Sequence, residues 1–296
     1  MAKKYLDPKA DLTFKKVFGE HPDLVISLLN ALLPLGDDEQ IETIEYLTPE
    51  LVPDNPLRKY SIVDVRCKDA TGRHFIVEMQ MVWSKEFMSR VLFNSAKAYV
   101  RQLDNGEAYH LLQPVYSLNL VNEIFEPELE EYYHYYRLVH ELHSERVRDG
   151  LHLVFVELPK FKPHTLTEKK MKVLWLRYLT EIEDSTSEVA EELLDNPQIS
   201  KALTVVEESA YTTEQLEGYD KFWDIIRTER TLVEGALRKG LARGMEQGLA
   251  KGRAEGRAEG IAAGISLIAK NMKSLGFPVS EISKATGLTE QDINSL

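Results

Sequence analysis

Apolar side chains recur three and four residues apart at Leu12, Phe14, Phe18, Val25, Leu28, Leu29, Leu32 and Leu33, with a break at Gly19–Pro22. The spacing predicts two amphipathic helices joined by a corner. The period then changes to two. Tyr60–Cys67 and Phe75–Val82 alternate apolar and polar positions around Lys68-Asp69-Ala70-Thr71-Gly72-Arg73-His74, the pattern of a β-hairpin. Helical spacing returns over residues 84–103 and stops at Asn105-Gly106, before strand-like Val115–Val121. Two more strands are expected at Tyr132–Val139 and Leu151–Leu158, around a loop containing Asp149-Gly150, and Pro159 to Pro163 closes the unit. The order predicts one α/β or α+β sheet domain ending near residue 165, followed by helical spacing from Thr167 to about Arg238 with a boundary at Pro197.

The tail is a repeat. Glycine occupies positions 240, 244, 248, 252, 256, 260 and 264, and Leu237, Leu241, Met245 and Leu249 run parallel to it, as a row on one slowly drifting helix face. Interior glycines cost roughly 1 kcal/mol each relative to alanine, so this helix needs a partner. Charges at Arg243, Glu246, Lys251, Arg253, Glu255, Arg257 and Glu259 exclude a bilayer. The expectation is a soluble helix that makes a homo-oligomer with its copy or packs against the rest of the chain. The alternative is a mobile basic tether able to touch DNA backbone. Helices are expected at Ile265–Leu275 and Val279–Thr286, then a capping-box start at Thr289-Glu290-Gln291-Asp292. Phe277–Thr289 has the look of half a helix-turn-helix, for which a capping helical hairpin is the simpler reading because its charge is near zero. The expected parts are 1–165, a helical region 166–230, a glycine-repeat helix 231–275 and a helical hairpin 276–296.

The 296 residues carry 36 Lys and Arg against 48 Asp and Glu, a net charge of −12 that argues against nonspecific coating of nucleic acid or anionic lipid. It does not forbid a local basic patch. Arg230–Lys273 carries about +5 and the residues after it about −2, which leaves about −15 on the first 229. The single Cys67 excludes a disulfide framework and fits a reducing compartment. No apolar run reaches the roughly 18 residues of a membrane span, and the first residues lack the apolar core of a signal peptide. A cytoplasmic protein without a membrane partner is expected.

The hairpin holds the candidate chemistry. With its turn centred on Thr71, positions summing to 142 oppose one another, which sets Asp64 across from Glu78. Alternation puts Val63, Val65, Cys67, Phe75, Val77, Met79 and Met81 on one face and Asp64, Arg66, Glu78 and Gln80 on the other. Opposed carboxylates repel by up to about 1 kcal/mol in water and more when buried, so they need a compensating cation. Arg66 is one candidate and a hard divalent metal such as Mg2+ another. An ordinary solvated sheet face is the alternative to both.

Several spaced matches extend this reading. They are Asp11 in Asp-Leu-Thr-Phe-Lys-Lys-Val-Phe-Gly, Ser61-Ile-Val-Asp64-Val, Val77-Glu78-Met-Gln80, Arg90, Tyr99-Val-Arg-Gln-Leu-Asp-Asn-Gly106-Glu-Ala-Tyr109 and Pro114-Val. Over roughly residues 5–165 the chain resembles the Rpn family of recombination-promoting nucleases, a transposase-like group in the PD-(D/E)XK superfamily. The resemblance implies a restriction-endonuclease-like α/β core, a mixed sheet flanked by helices, with an all-helical C-terminal extension. It also implies a Mg2+-dependent DNA endonuclease, with Mn2+ able to substitute, acting in recombination or transposition. Carried over by position, Asp64 and Glu78 are the metal-binding acids, the Met79 carbonyl a further ligand, and Gln80 stands at the superfamily's usual lysine. Glutamine can position a water or a phosphate oxygen but brings no charge, so the metal must do more. Asp11 matches an acid brought near the metal, with helix N-capping as its competing role. Arg90 and Lys97, seven apart on one helix, are candidates for DNA phosphate; the aromatic of the family pattern four residues after Arg90 is replaced by Asn94. A catalytically degenerate module that binds DNA or a protein, with the C-terminal helices for oligomerisation, is the alternative function.

Other signals are weaker. His140-Glu-Leu-His143 lacks the spacing of a zinc-protease helix, the tyrosines of Tyr132–Tyr136 are expected on both faces of a strand, Cys67 is expected in packing, and no phosphate-loop pattern occurs.

Overall fold

A computed structural model describes residues 4–51, 61–163 and 170–296. The expected hairpin start at Tyr60, the helical start at Thr167 and the boundary near residue 165 lie outside the described residues. Helices α1 (Asp11–Gly19) and α2 (Pro22–Leu32) form on the predicted periodicity. Pro22 separates them, because its ring is suited to a first helical turn but offers no amide to continue the preceding one. Strands β1 (Ile44–Tyr46), β2 (Glu50–Leu51), β3 (Ser61–Ile62), β4 (Val65–Asp69) and β5 (His74–Gln80) follow, then α3 (Lys85–Val100), β6 (Val115–Val121), β7 (Tyr133–His140) and β8 (His143–Glu157). The remaining elements are α4 (Lys170–Glu181), α5 (Glu191–Leu194), α6 (Pro197–Val205), α7 (Thr213–Ser274), α8 (Val279–Thr286) and α9 (Glu290–Ser295).

Six strands form a mixed sheet in the order β1-β4-β5-β6-β8-β7. The pairs β5/β6 and β6/β8 are parallel and the others antiparallel. The hairpin takes the expected register, Val65 opposite Val77 and Arg66 opposite Ile76. Central β6 is buried along its whole length because helices cover both sheet faces. Phe75 and Val77 face a large core with Phe14, Phe18, Leu28 and Trp175. The opposite face, Ile76 included, lies under α3 through Ala98. The solvated sheet face considered for Asp64, Arg66, Glu78 and Gln80 is therefore a covered one.

Three expectations change. Asp149-Gly150 is not a turn: β8 runs through it, and the register steps from Arg137 opposite His152 to Leu138 opposite Arg148, so Asp149–Leu151 form a bulge against β7. The turn lies at Glu141-Leu142, and His140 and His143 pair at the polar strand ends. Residues 1–165 are not a separate domain either. Met1–Glu229 make one compact unit, because α4 buries Leu174, Trp175, Leu176, Tyr178 and Leu179 in the same core as the sheet. Lastly, the helix that carries the glycine repeat and Ile265–Ser274 does not start near residue 231: it is the 62-residue helix α7, which begins at Thr213.

Arg230–Leu296 form the second unit. Ala269, Ile282 and Ile293 join the end of α7 to α8 and α9, and Thr289 with Asp292 makes the expected capping box. A Cβ added at any of the glycines from 240 to 264 would meet nothing within 4 Å. Leu237, Leu241, Met245 and Leu249 are exposed beside them.

Candidate active site

The hairpin's first strand, continuous in the sequence pattern, breaks at Val63-Asp64. Ser61 and Ile62 pair with β2, and the Val63 amide donates to the Pro49 carbonyl, so Asp64 stands at a bend just before β4 enters the large sheet. One further step of the β4/β5 register sets it opposite Glu78. The Met79 amide, which an unbroken ladder would give to Val63, donates instead to Asp64 Oδ2 at 2.7 Å. The break thus turns a carboxylate inward and takes the Val63 amide away from the Met79 carbonyl.

Glu78 is 6% exposed under α3. Its Oε1 accepts a hydrogen bond from Asn94 Nδ2 at 3.1 Å, and its Oε2 lies 3.8 Å from the Arg90 guanidinium. Gln80 Oε1 accepts from Arg90 at 2.6 Å while its Nε2 donates to the Val82 carbonyl. Arg90 and Asn94 stand one turn apart on α3, so one helix face reaches both β5 side chains. The Phe87 ring, 4.8 Å from the Arg90 guanidinium, holds that side chain from below.

Burial pushes the Glu78 carboxyl up to about 7, and the Asp64 charge adds to the shift. Burial likewise pushes Asp64 up to about 6, outweighing the Met79 amide and the charge of Lys15. The acids thus lack sufficient countercharge. Arg66, considered as their compensating cation, makes no ion pair among the described residues; the nearby guanidinium is that of Arg90.

Asp11 opens α1 as its first helical residue, with Ala10 at the cap, so N-capping is not its role. Its carboxylate lies 2.6 Å from Lys15 Nζ, and both side chains act on the charge of Asp64. Among the described residues no group of three or more His, Cys, Asp or Glu is placed to hold a metal. The structure thus brings together Asp64, Glu78, Gln80 and Arg90, with Asp11 beside them and held by Lys15. Lys97 is elsewhere: its ammonium donates to the Leu51 carbonyl and faces the Phe93 ring at 5.5 Å. Asn94 is the site residue that sequence reasoning left without a role. Its signal was a carboxamide on the apolar stripe Phe87, Val91, Ala98 of α3.

The donors suit a hard ion that keeps several waters, since two carboxylates and a backbone carbonyl leave positions open in an octahedral shell. A family model described as PD-(D/E)XK nuclease family transposase matches residues 8–236. The chain belongs to this family. The match agrees with the resemblance read from the spaced motifs, and it runs beyond residue 165 through the helices that share the sheet's core. No curated protein and no solved structure matches the chain. A nuclease or transposase-like role follows from the family, and the mixed sheet flanked by helices is its PD-(D/E)XK fold. No helix among the described residues of this family member is long and apolar enough to cross a membrane.

Proposed function

We propose that the protein is a Mg2+-dependent DNA endonuclease, with Mn2+ able to substitute, that hydrolyses phosphodiester bonds in recombination or transposition. The observation that carries the reading is the pair Asp64 and Glu78: two desolvated, mutually repelling carboxylates at a break in the sheet, within the residues matched by the family. Asp64, Glu78 and the Met79 carbonyl would hold the ion. Bound Mg2+ supplies Lewis-acid polarisation of the phosphate and a more acidic water. Asn94 ties down one oxygen of Glu78 and so fixes how the other is presented. Gln80 is held at both ends of its amide, and each end keeps capacity for one further hydrogen bond, enough to orient a water or a phosphate oxygen. Arg90 brings to Gln80 the positive charge that glutamine lacks. In this reading the enzyme is cytoplasmic and pairs with a second copy along the open glycine row of α7.

The test is supercoiled plasmid incubated with the full chain in Mg2+, Mn2+ or EDTA, beside Asp64→Asn and Glu78→Gln. Relaxation or linearisation by the wild type in either metal, with none in EDTA or from the variants, is expected. An intact plasmid under every condition refutes the reading, and DNA binding without cutting would leave the degenerate module in its place.

A further inference from the structure

Along α3, Arg90, Phe93 and Lys97 follow one another at spacings of three and four, so their side chains form one ridge of the helix. Both ends of the ridge are anchored. Arg90 donates to Gln80 Oε1 at 2.6 Å and lies 3.8 Å from Glu78 Oε2. The Lys97 ammonium donates to the Leu51 carbonyl of β2, the strand that pairs with Ser61 and Ile62 just before Asp64. Phe93 stands between the two cations on the wall of the acid site, and the next residue, Asn94, is the one that bonds Glu78.

Phe93 is 43% exposed. The rings at the start of α3 pack on one another: Trp83 meets Phe87 and Phe125, and both of these meet Phe155. Phe93 meets no other ring among the described residues, and the Lys97 ammonium, 5.5 Å from its centre, steadies it from one side. A single exposed apolar side chain needs no explanation by itself. This one forgoes burial one helical turn from the guanidinium that touches both β5 site residues. An aromatic face flanked by held cations is suited to a nucleobase, because every base has a π face and the positive surroundings favour the phosphate that follows it. A base inside a duplex is stacked on its neighbours, so only one taken out of the stack can lie on Phe93.

We propose that Phe93 is a stacking platform for an unpaired nucleobase of the DNA strand presented to Asp64 and Glu78, which makes single-stranded or locally opened DNA the substrate class of this site. Arg90 and Lys97 keep their partners and hold the ridge in place. The choice of DNA rests on the nuclease reading, but the test does not require cleavage.

The experiment is fluorescence anisotropy of a short labelled oligonucleotide, as a single strand and as a blunt duplex, with the full chain and with Ca2+ in place of Mg2+. The wild type should bind the single strand more tightly than the duplex. Phe93→Ala is expected to lower single-strand affinity by about 5–150-fold, the span of base stacking on an aromatic, and to change duplex affinity little. Phe93→Leu, apolar but without a π face, should fall with it, whereas Phe93→Trp should retain the affinity. Thermal melts identify a variant that fails to fold, in which case the others carry the test. Equal single-strand affinity in the wild type and Phe93→Ala, equal losses on single strand and duplex, or no binding by the wild type overturns the platform. Unchanged affinity with a fall in the mass of Phe93→Ala in light scattering would assign the ring to a contact between copies instead. Plasmid cleavage by the wild type with unchanged affinity in Phe93→Ala rejects the platform and leaves the nuclease reading intact, whereas lowered affinity without cleavage does the reverse.

Discussion

Replacing Glu78 by glutamine should stabilise the metal-free protein above neutral pH. The folded protein holds the Glu78 proton more tightly than an unfolded chain does, because burial and the Asp64 charge oppose ionisation. The penalty is absent below the ordinary value of 4.5, grows as the pH rises through about 7, and is constant above it. At about 1.4 kcal/mol for each pH unit between those two values, the penalty at pH 8 is on the order of 3 kcal/mol. Glutamine has no charge to bury and still offers Asn94 an acceptor, so it removes most of this. For a unit of this size, 1 kcal/mol moves the melting temperature by about 2–4 °C, which sets the gain at roughly 6–12 °C. Thermal denaturation in EDTA at pH 5 and pH 8 is the assay. The wild type should lose stability between the two, and Glu78→Gln should lose much less and melt higher at pH 8. Added Mg2+ should raise the melting point of the wild type at pH 8 and leave the variant nearly unmoved. Equal pH dependence in the two proteins, or a less stable variant at pH 8, would refute the account of a repelling carboxylate pair.

Other outcomes follow from the same geometry. Asp64→Ala leaves the Met79 amide without its acceptor and should cost about 1–3 kcal/mol in urea denaturation, whereas Asp64→Asn keeps an oxygen there and should cost less. Asn94→Ala should weaken Mn2+ binding by about 10–100-fold in calorimetry, by freeing Glu78 Oε1. Glu157, fully buried, accepts from the Phe125 and Glu126 amides and lies 2.5 Å from Lys160 Nζ; Glu157→Gln should cost about 1–3 kcal/mol of unfolding free energy, because that ammonium loses its countercharge and keeps only the Glu126, Leu129 and Glu131 carbonyls. Truncation at residue 230 should reduce the mass seen in light scattering to that of a monomer.

Much of the fold was legible in local pattern. The helices α1 and α2, strand β6, the hairpin register and the Thr289 capping box all rest on periodicity, turn residues or caps, which act over a few residues. The pairing of Asp64 with Glu78 and the place of Gln80 beside them came from the same source, because a turn centre and a period of two determine which side chains share a face. Local pattern failed where distant segments decide the outcome. Asp149-Gly150 reads as a turn until β6 and β7 claim the residues on either side of it, and residue 165 reads as a boundary until α4 buries its apolar stripe in the sheet's core.

The sequence by itself therefore determined which carboxylates meet and which polar residues accompany them. Tertiary structure decided their chemistry. Whether Glu78 is solvated and unremarkable or buried and short of countercharge depends on α3 lying over it, the desolvation of Asp64 depends on the bend that turns it toward the Met79 amide, and the guanidinium near the pair is that of Arg90 rather than Arg66. Desolvation and the selection of a charged neighbour are set by segments far apart in the chain, and a strand's own alternation carries no record of what will cover it.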